Sequence, residues 1–494
     1  MKKNINSLSL FLILVLSILS SCDNNFEEIN RSKDLVTEPN LDLMLTPLEL
    51  NMLERQYYTA GTIIAPMVGQ VSAGSTFEGL NEIGSFEHGY HFEWIYQNPL
   101  KNVVDFIDRS KKNPEQVNYY NIGRIIKVYL VHQLTDVYGD IPYFGAGKGY
   151  SEQIYTPEYD SQQVIYEDMF KELQEATGSF DESKPVPTVT DIVYQGDLNK
   201  WKKFANSLML RLGLRILNAD PAGGEKWINR AISAGLLENN DDNFVVFYKP
   251  STYYGTTQNG QPHIFIRYFN NSRLTAPFVD FLKNNNDPRI RTYAMLPGSS
   301  SSYANGDKTP SNQKGYPMFG NVAESKSNFS VANKNTFGKY DAPFIHLSYA
   351  EVQFQLAELV VRGVLSGDDK AYYENGVKAA MDQLKVYGPE GIVSPAQAED
   401  YLFENPYNPA TPEDALEMIN SQYWIETHFN WYENFANMRR SGYPKIYEAL
   451  GSGYSMPRRL TYPSGEVSIN PNLQQAIQRQ GPDVINTRVW WDKP

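Results

Sequence analysis

Along this chain, apolar positions recur mainly at three- and four-residue steps, the period of helices with one buried face. From Tyr119, the segment YYNIGRIIKVYLVHQLTDVYGD sets Ile122, Ile125, Ile126, Tyr129, Leu130 and Leu134 near that spacing, and Gly139 supplies a stop. Ser161 to Ala176 repeats the pattern through Val164, Ile165, Met169, Phe170 and Leu173, which predicts a second helix able to pair with the first. The same helix, break, helix layout returns at Leu198 to Leu217 with Glu225 to Ala234, and at His346 to Arg362 with Asp369 to Val386. A further helix is predicted over Pro412 to Ala436, where Trp424, Phe429, Trp431 and Phe435 recur. No strict repeat period links these pairs, so any array is degenerate.

Within WKKFANSLMLRLGLRI, Trp201, Phe204, Leu208, Leu212 and Ile216 describe one packed face. Arg211 and Arg215 lie one turn apart and are expected to tie backbone carbonyls or carboxylates. Asp136 and Asp140, near Gly139, are expected to cap a turn. Between Asn239 and Pro343 the texture changes to Gly, Pro, Ser and Asn with interspersed tyrosines, as in KPSTYYGTTQNGQP and LPGSSSSYANGDKTPSNQKGYPMFG. That composition predicts a loop-rich insertion with little β structure in a mainly α fold.

The amino terminus follows a different logic. Lys2 and Lys3 precede an apolar run from Leu8 to Ser20, about 13 residues where a permanent bilayer span needs about 18 to 20. Residues 1–21 therefore read as a signal peptide. The chain's only cysteine, Cys22, follows directly. Leu19-Ser20-Ser21-Cys22 resembles the lipobox of bacterial lipoproteins, which implies a lipidated Cys22 as the mature terminus. Asp23, Glu27 and Glu28 resemble the signal that sends some such lipoproteins to the cell surface. Residues 22–40 are polar and read as a flexible tether, with order beginning near Leu41.

Composition narrows the partners. The 494-residue sequence carries a formal charge of −13, and loss of residues 1–21 makes it more acidic because only lysines are removed. No Lys/Arg cluster offers a footprint for nucleic acid. Aromatic residues make up 13% of the chain, with 34 Tyr, a side chain that joins an apolar ring to a hydroxyl and suits wet recognition surfaces as well as cores. Catalytic signatures are absent: there is no G-x-S-x-G elbow, no H-E-x-x-H helix and no phosphate-cradling G-x-x-x-x-G-K-[ST]. In EHGYHFE, His88 and His91 offer two ligands toward a metal, short of the three or four a site requires. No catalytic residue, metal site or cofactor is assigned.

Five stretches carry a family resemblance: LTDVYGDIPY, WKKFANSLMLRLGLRI, SYAEVQFQLAEL, NMRRSGYP with PRRLTYP, and the terminal RVWWD. In this order, and together with the lipobox, they resemble the SusD/RagB family of nutrient-binding outer-membrane lipoproteins, specifically its divergent SusD-like branch. The resemblance implies one domain over residues 41–494. Tetratricopeptide-like helix pairs would form its scaffold over about 119–236 and 346–386, with an insertion over about 239–343 and a C-terminal segment over 412–494. It further implies a surface protein that captures oligosaccharide or oligopeptide and delivers it, as a lid, to a SusC-like TonB-dependent transporter. A surface glycoside hydrolase or peptidase, and a scaffold that binds no nutrient, remain the competing readings. Rings for stacking on ligand are sought in two loop-rich zones: Phe77, Tyr90 and Trp94, and Tyr253, Tyr254, Tyr303, Tyr316 and Phe319. Trp94 opens WIYQNPLKNVVDFI, which reads as a helix start and directs its ring toward a core.

Overall fold

The computed structural model describes residues 40–54, 57–72, 85–250, 257–262, 272–297, 306–320, 322–451 and 453–494. Its longer helices are α1 (Leu41–Leu50), α2 (Ser85–Ile95), α3 (Lys101–Lys111), α4 (Val117–Tyr138), α5 (Gln162–Gly178), α6 (Leu198–Ile216), α7 (Pro221–Ala234), α8 (Ala276–Asn284), α9 (Tyr349–Val361), α10 (Asp369–Asp382), α11 (Pro395–Glu404), α12 (Pro412–Glu426) and α13 (Trp431–Ser441). The mainly α fold stands. Successive helices pack on one another, α4 on α5, α6 on α7 and α9 on α10, as the periodicity predicts.

Asp197 opens α6 by accepting hydrogen bonds from the N–H groups of Asn199 and Lys200 at 2.9 and 3.1 Å. Trp201, Phe204, Leu208, Leu212 and Ile216 are all buried, and the opposite face of α6 is buried too, so this helix runs through the middle of the core. Glycine makes its contact with α7 possible: a Cβ on Gly213 would stand 2.9 Å from the Ile228 side chain, and one on Gly224 2.9 Å from the Leu217 Cα. A second, smaller apolar cluster fills the space among α9, α10, α11 and α12, with Phe354, Tyr373 and Ile419 at its centre.

Several sequence expectations are corrected. Val164 is 42% exposed, and Tyr166 takes the buried place on α5. His346 belongs to a strand, because Phe344–Leu347 pairs antiparallel with Phe244–Val246 and Ser348 then caps α9 through the Glu351 N–H at 3.0 Å. The helix expected over Pro412 to Ala436 is two, α12 and α13. Phe429 adopts a left-handed φ of +77°, its ring stacks on Phe337 at 4.3 Å, and its carbonyl accepts from the Tyr57 hydroxyl. Burying both His428 and Phe429 against the insertion turns the chain out of helical geometry. Trp94 is not at a helix start: it lies near the end of α2, which continues through a wide turn at Tyr96–Leu100 into α3.

The insertion holds α8 and, among the described residues, six short strands complete three two-stranded ladders with their neighbours: β1 (Val71–Ser72) with β3 (Arg273–Leu274), β2 (Phe244–Val246) with β6 (Phe344–Leu347), and β4 (Ala294–Met295) with β5 (Val331–Ala332). The β1–β3 and β2–β6 ladders tie the insertion to the chain outside it or at its borders, and β4–β5 joins two parts of the insertion itself.

Arginines cross-link the helical core. The Arg211 guanidinium holds both Glu351 carboxylate oxygens at 2.7 Å and donates to the His346 carbonyl at 3.0 Å. The structural role expected of Arg211 and Arg215 is what they perform. Asp136 departs from its expected capping role, since its carboxylate accepts from the Tyr166 hydroxyl and from the Trp491 indole, the latter at 2.8 Å, inside the core. Asp140 does cap a helix, accepting from the Gln162 N–H of α5 at 3.0 Å, and pairs with Arg479 at 2.9 Å.

Candidate ligand-binding surface

Phe319 and Tyr454 lie face to face, ring centres 5.2 Å apart and planes 5° from parallel, with Tyr454 46% exposed. Tyr447 flanks them at 6.3 Å and anchors the group by donating to the Met67 carbonyl at 2.8 Å. The support beneath is tight. Gly69 sits at φ +69°, and a Cβ there would stand 2.4 Å from the Ile446 side chain and 3.3 Å from the Met318 sulfur. Only glycine allows the chain leaving Met67 to pass under both the Phe319 loop and the Tyr447 segment.

A second aromatic group lies at the other end of the helical stretch that ends in Met67. Tyr58 meets Tyr90 edge to face at 5.9 Å, and Tyr90 stacks on Trp94 at 6.3 Å with planes 26° apart. All three rings are half-buried. The Trp94 indole N–H is buried without an acceptor among the described residues. Such a donor is available to a ligand oxygen or an ordered water. Tyr58 and Met67 stand at the two ends of this stretch, whose middle, Ala60–Ile64, is a π-helix, so the two aromatic groups bracket one short element.

The other rings singled out in the sequence divide cleanly. Phe77, Tyr253, Tyr254 and Tyr303 lie outside the described residues. Tyr316 is 1% exposed, its backbone hydrogen-bonds Leu274 and Ala276, and its ring meets Phe329 edge-on at 4.9 Å. It packs the insertion and offers no free face. Tyr58, Tyr447 and Tyr454 join the two groups although the sequence reading does not mark them. The usable signal for the last two was the Gly/Tyr texture of GYPKIYEALGSGYSMP, the same texture that marks the insertion.

The interior holds several enclosed ionisable groups. His91 Nδ1 is 2.5 Å from a Glu54 carboxylate oxygen that also accepts from Tyr432, whose ring stacks on His91 at 3.9 Å. His88 Nδ1 contacts the Thr461 hydroxyl at 2.6 Å, and burial lowers its pKa to about 4. The two histidines thus face separate partners, and among the described residues no three His, Cys, Asp or Glu side chains converge as metal ligands. Glu426 accepts from Ser348 at 2.6 Å and from Gln383 at 2.9 Å, while burial, reinforced by Glu351, raises its pKa to about 7. The cavity beside it measures about 20 Å³, room for a single water and none for a sugar ring. A raised carboxyl in such a place is a core group without access to substrate.

Comparison with known proteins identifies the family and the fold. The family described as SusD-like, starch-binding associating with outer membrane, matches residues 2–463. A solved structure described as a chitin-binding protein is 32% identical, with 92% of this chain and 100% of that one covered and a TM-score of 0.79. A SusD-like protein described as Bacteroidetes AC2a is 26% identical, covering 92% and 100% of the two chains, with a TM-score of 0.82. A chitin-binding SusD homolog from Flavobacterium johnsoniae, at 23% identity, 92% and 98% coverage and a TM-score of 0.76, shares the fold. No curated protein matches the sequence.

Proposed function

Because the chain belongs to the SusD-like family of outer-membrane nutrient-binding proteins, generally non-catalytic, we propose that it captures oligosaccharide at the cell surface and passes it to a SusC-like TonB-dependent transporter over which it sits as a lid. The parallel Phe319–Tyr454 pair, half-buried at Phe319 and exposed at Tyr454, is the observation that carries this reading. A flat ring covers the apolar face of a pyranose, while hydroxyl and amide groups around it exchange hydrogen bonds with sugar hydroxyls. The half-buried Tyr58–Tyr90–Trp94 group supplies a second platform and one unused donor.

The chitin-binding relative points to β-linked N-acetylglucosamine oligomers as the first ligand to try. Removal of residues 1–21, lipidation of Cys22 and a tether to residue 40 leave a single domain from Leu41 that is held at the membrane yet free to move over its partner barrel. The test is calorimetric titration of the mature protein with chitohexaose and, separately, maltohexaose, alongside co-purification of the lipidated protein with a TonB-dependent barrel from its native membrane. Saturable binding of either oligomer supports capture. Failure of both, with the barrel still co-purifying, would replace capture by a scaffold role, and release of shorter sugars by the pure protein would replace it by hydrolysis.

A further inference from the structure

The last turns of α8 and α11 enclose a groove of about 700 Å³ that the aromatic surface does not use. That volume falls within the roughly 300–1,000 Å³ typical of small-ligand sites. Its walls are of opposite charge. Lys283 and Arg291 stand on the insertion side, whereas Asp400 and Glu404, one turn apart and so on one face of α11, stand opposite.

The frame of the groove is fixed by satisfied contacts. The Asn405 amide donates to the Asn285 carbonyl at 2.9 Å, and the Asn286 amide donates to Glu404 at 3.1 Å, which together close one end. Lys283 donates to the Gln313 carbonyl at 2.8 Å and so holds the short turn Pro310–Asn312 along the rim. On the floor, Asp287 is neutralised by Arg289 at 2.5 Å, and the Tyr401 hydroxyl accepts from Gln422 at 2.7 Å. Two groups stay unused. Among the described residues, neither the Arg291 guanidinium nor the Asp400 carboxylate has a hydrogen bond or ion pair, although both are exposed and line the same groove.

We propose that this groove is a second ligand site, and that it takes a short peptide with free termini. The peptide carboxylate pairs with Arg291, its ammonium group with Asp400 and Glu404, and its backbone amides meet Ser311 and Gln397 along the walls. A single ion matches neither the volume nor the mixed charge. A sugar finds no platform among the described residues, where Tyr401 is the only aromatic residue lining the groove and is 3% exposed. The site is independent of the aromatic surface and of the reading given to it.

The experiment titrates the mature protein with tetra-alanine and with the same peptide acetylated and amidated at its ends. Tetra-alanine should bind, and the blocked peptide should bind at least about tenfold more weakly, as expected when charge-assisted hydrogen bonds are lost. Arg291→Gln and Asp400→Asn, both at exposed positions, should each weaken tetra-alanine by roughly tenfold while leaving the melting temperature and the affinity for chitohexaose or maltohexaose unchanged. Absence of tetra-alanine binding at millimolar concentration, equal affinity for the blocked peptide, or wild-type affinity in both variants would overturn the proposal. So would a sugar oligomer whose affinity falls in Asp400→Asn, which would give the groove to carbohydrate.

Discussion

Arg215 and Glu433 meet in the core through two hydrogen bonds of 2.6 Å, from one guanidinium nitrogen to both carboxylate oxygens. Both side chains are almost fully buried, and Tyr423 donates to the same carboxylate at 2.8 Å. The contact joins α6 to α13 across more than two hundred residues of sequence, and Arg211, bound to Glu351 of α9, lies 3.5 Å from Glu433.

Breaking this network on one side should be costly, because it strands charge where water cannot reach it. Glu433→Ala is expected to destabilise the protein by about 3–5 kcal/mol in urea unfolding. A loss below about 1 kcal/mol would mean that water or another carboxylate replaces Glu433 beside Arg215.

Glu426 should make stability fall as pH rises. An unfolded glutamate loses its proton near 4.5, whereas folded Glu426 keeps it to about 7. Between those values the folded state binds the extra proton, so stability declines across that window and levels off above it, by on the order of 3 kcal/mol. Glu426→Gln keeps an amide oxygen for Ser348 and Gln383 and carries no charge. It should match the wild type near pH 4 and exceed it at pH 8 in urea midpoint. An unchanged or lower midpoint at pH 8 would show that Glu426 ionises normally.

Trp201 is fully buried and its indole donates to Asp191 at 2.7 Å, the carboxylate that also gathers the N–H groups of Val193, Tyr194 and Gly196. Trp201→Ala should cost about 3–5 kcal/mol. Trp201→Phe retains most of the ring and loses the hydrogen bond, so a cost of roughly 1–3 kcal/mol is expected. Equal losses in thermal unfolding of the two variants would show that the hydrogen bond outweighs the packing.

Tyr454 and Tyr316 should separate binding from stability. Tyr454→Ala removes an exposed ring and should weaken the bound oligosaccharide by roughly 1–3 kcal/mol, about five- to a hundredfold, at an unchanged melting temperature. Tyr316→Ala hollows a packed site and should lower the melting temperature without altering affinity. The reverse pattern, read by calorimetry and thermal unfolding, would move the site away from the Phe319–Tyr454 pair.

Cys22→Ala should leave the protein without lipid and poorly retained by the membrane. Mass spectrometry of the mature terminus and membrane fractionation read both effects. Wild-type protein that carries no lipid yet stays membrane-bound would require a different anchor.

Periodicity along the chain determined where α4, α5, α6, α7 and α10 lie, even for α4 and α6, whose other faces are buried as well. Local chemistry also placed stops such as Gly139, at φ +84°. These features depend on neighbours three or four residues away, which the sequence displays directly. Of the stretches that carry the family resemblance, WKKFANSLMLRLGLRI is the ion-paired helix α6 and LTDVYGDIPY begins in the last turns of α4.

Tertiary contacts decided the rest. His346 joins a strand only because Phe244–Val246 arrives beside it, and α12 ends before Phe429 because the insertion supplies Phe337 for its ring. Asp136 leaves the turn for Tyr166 and Trp491, partners that no local spacing reveals. A tyrosine in a Gly- and Pro-rich segment reads the same in sequence whether its ring is packed or free. Tyr316 is buried by Phe329 and Tyr454 is left exposed beside Phe319. Whether such a ring packs or recognises ligand depends on which distant segment covers it, and that is settled only when the chain has folded.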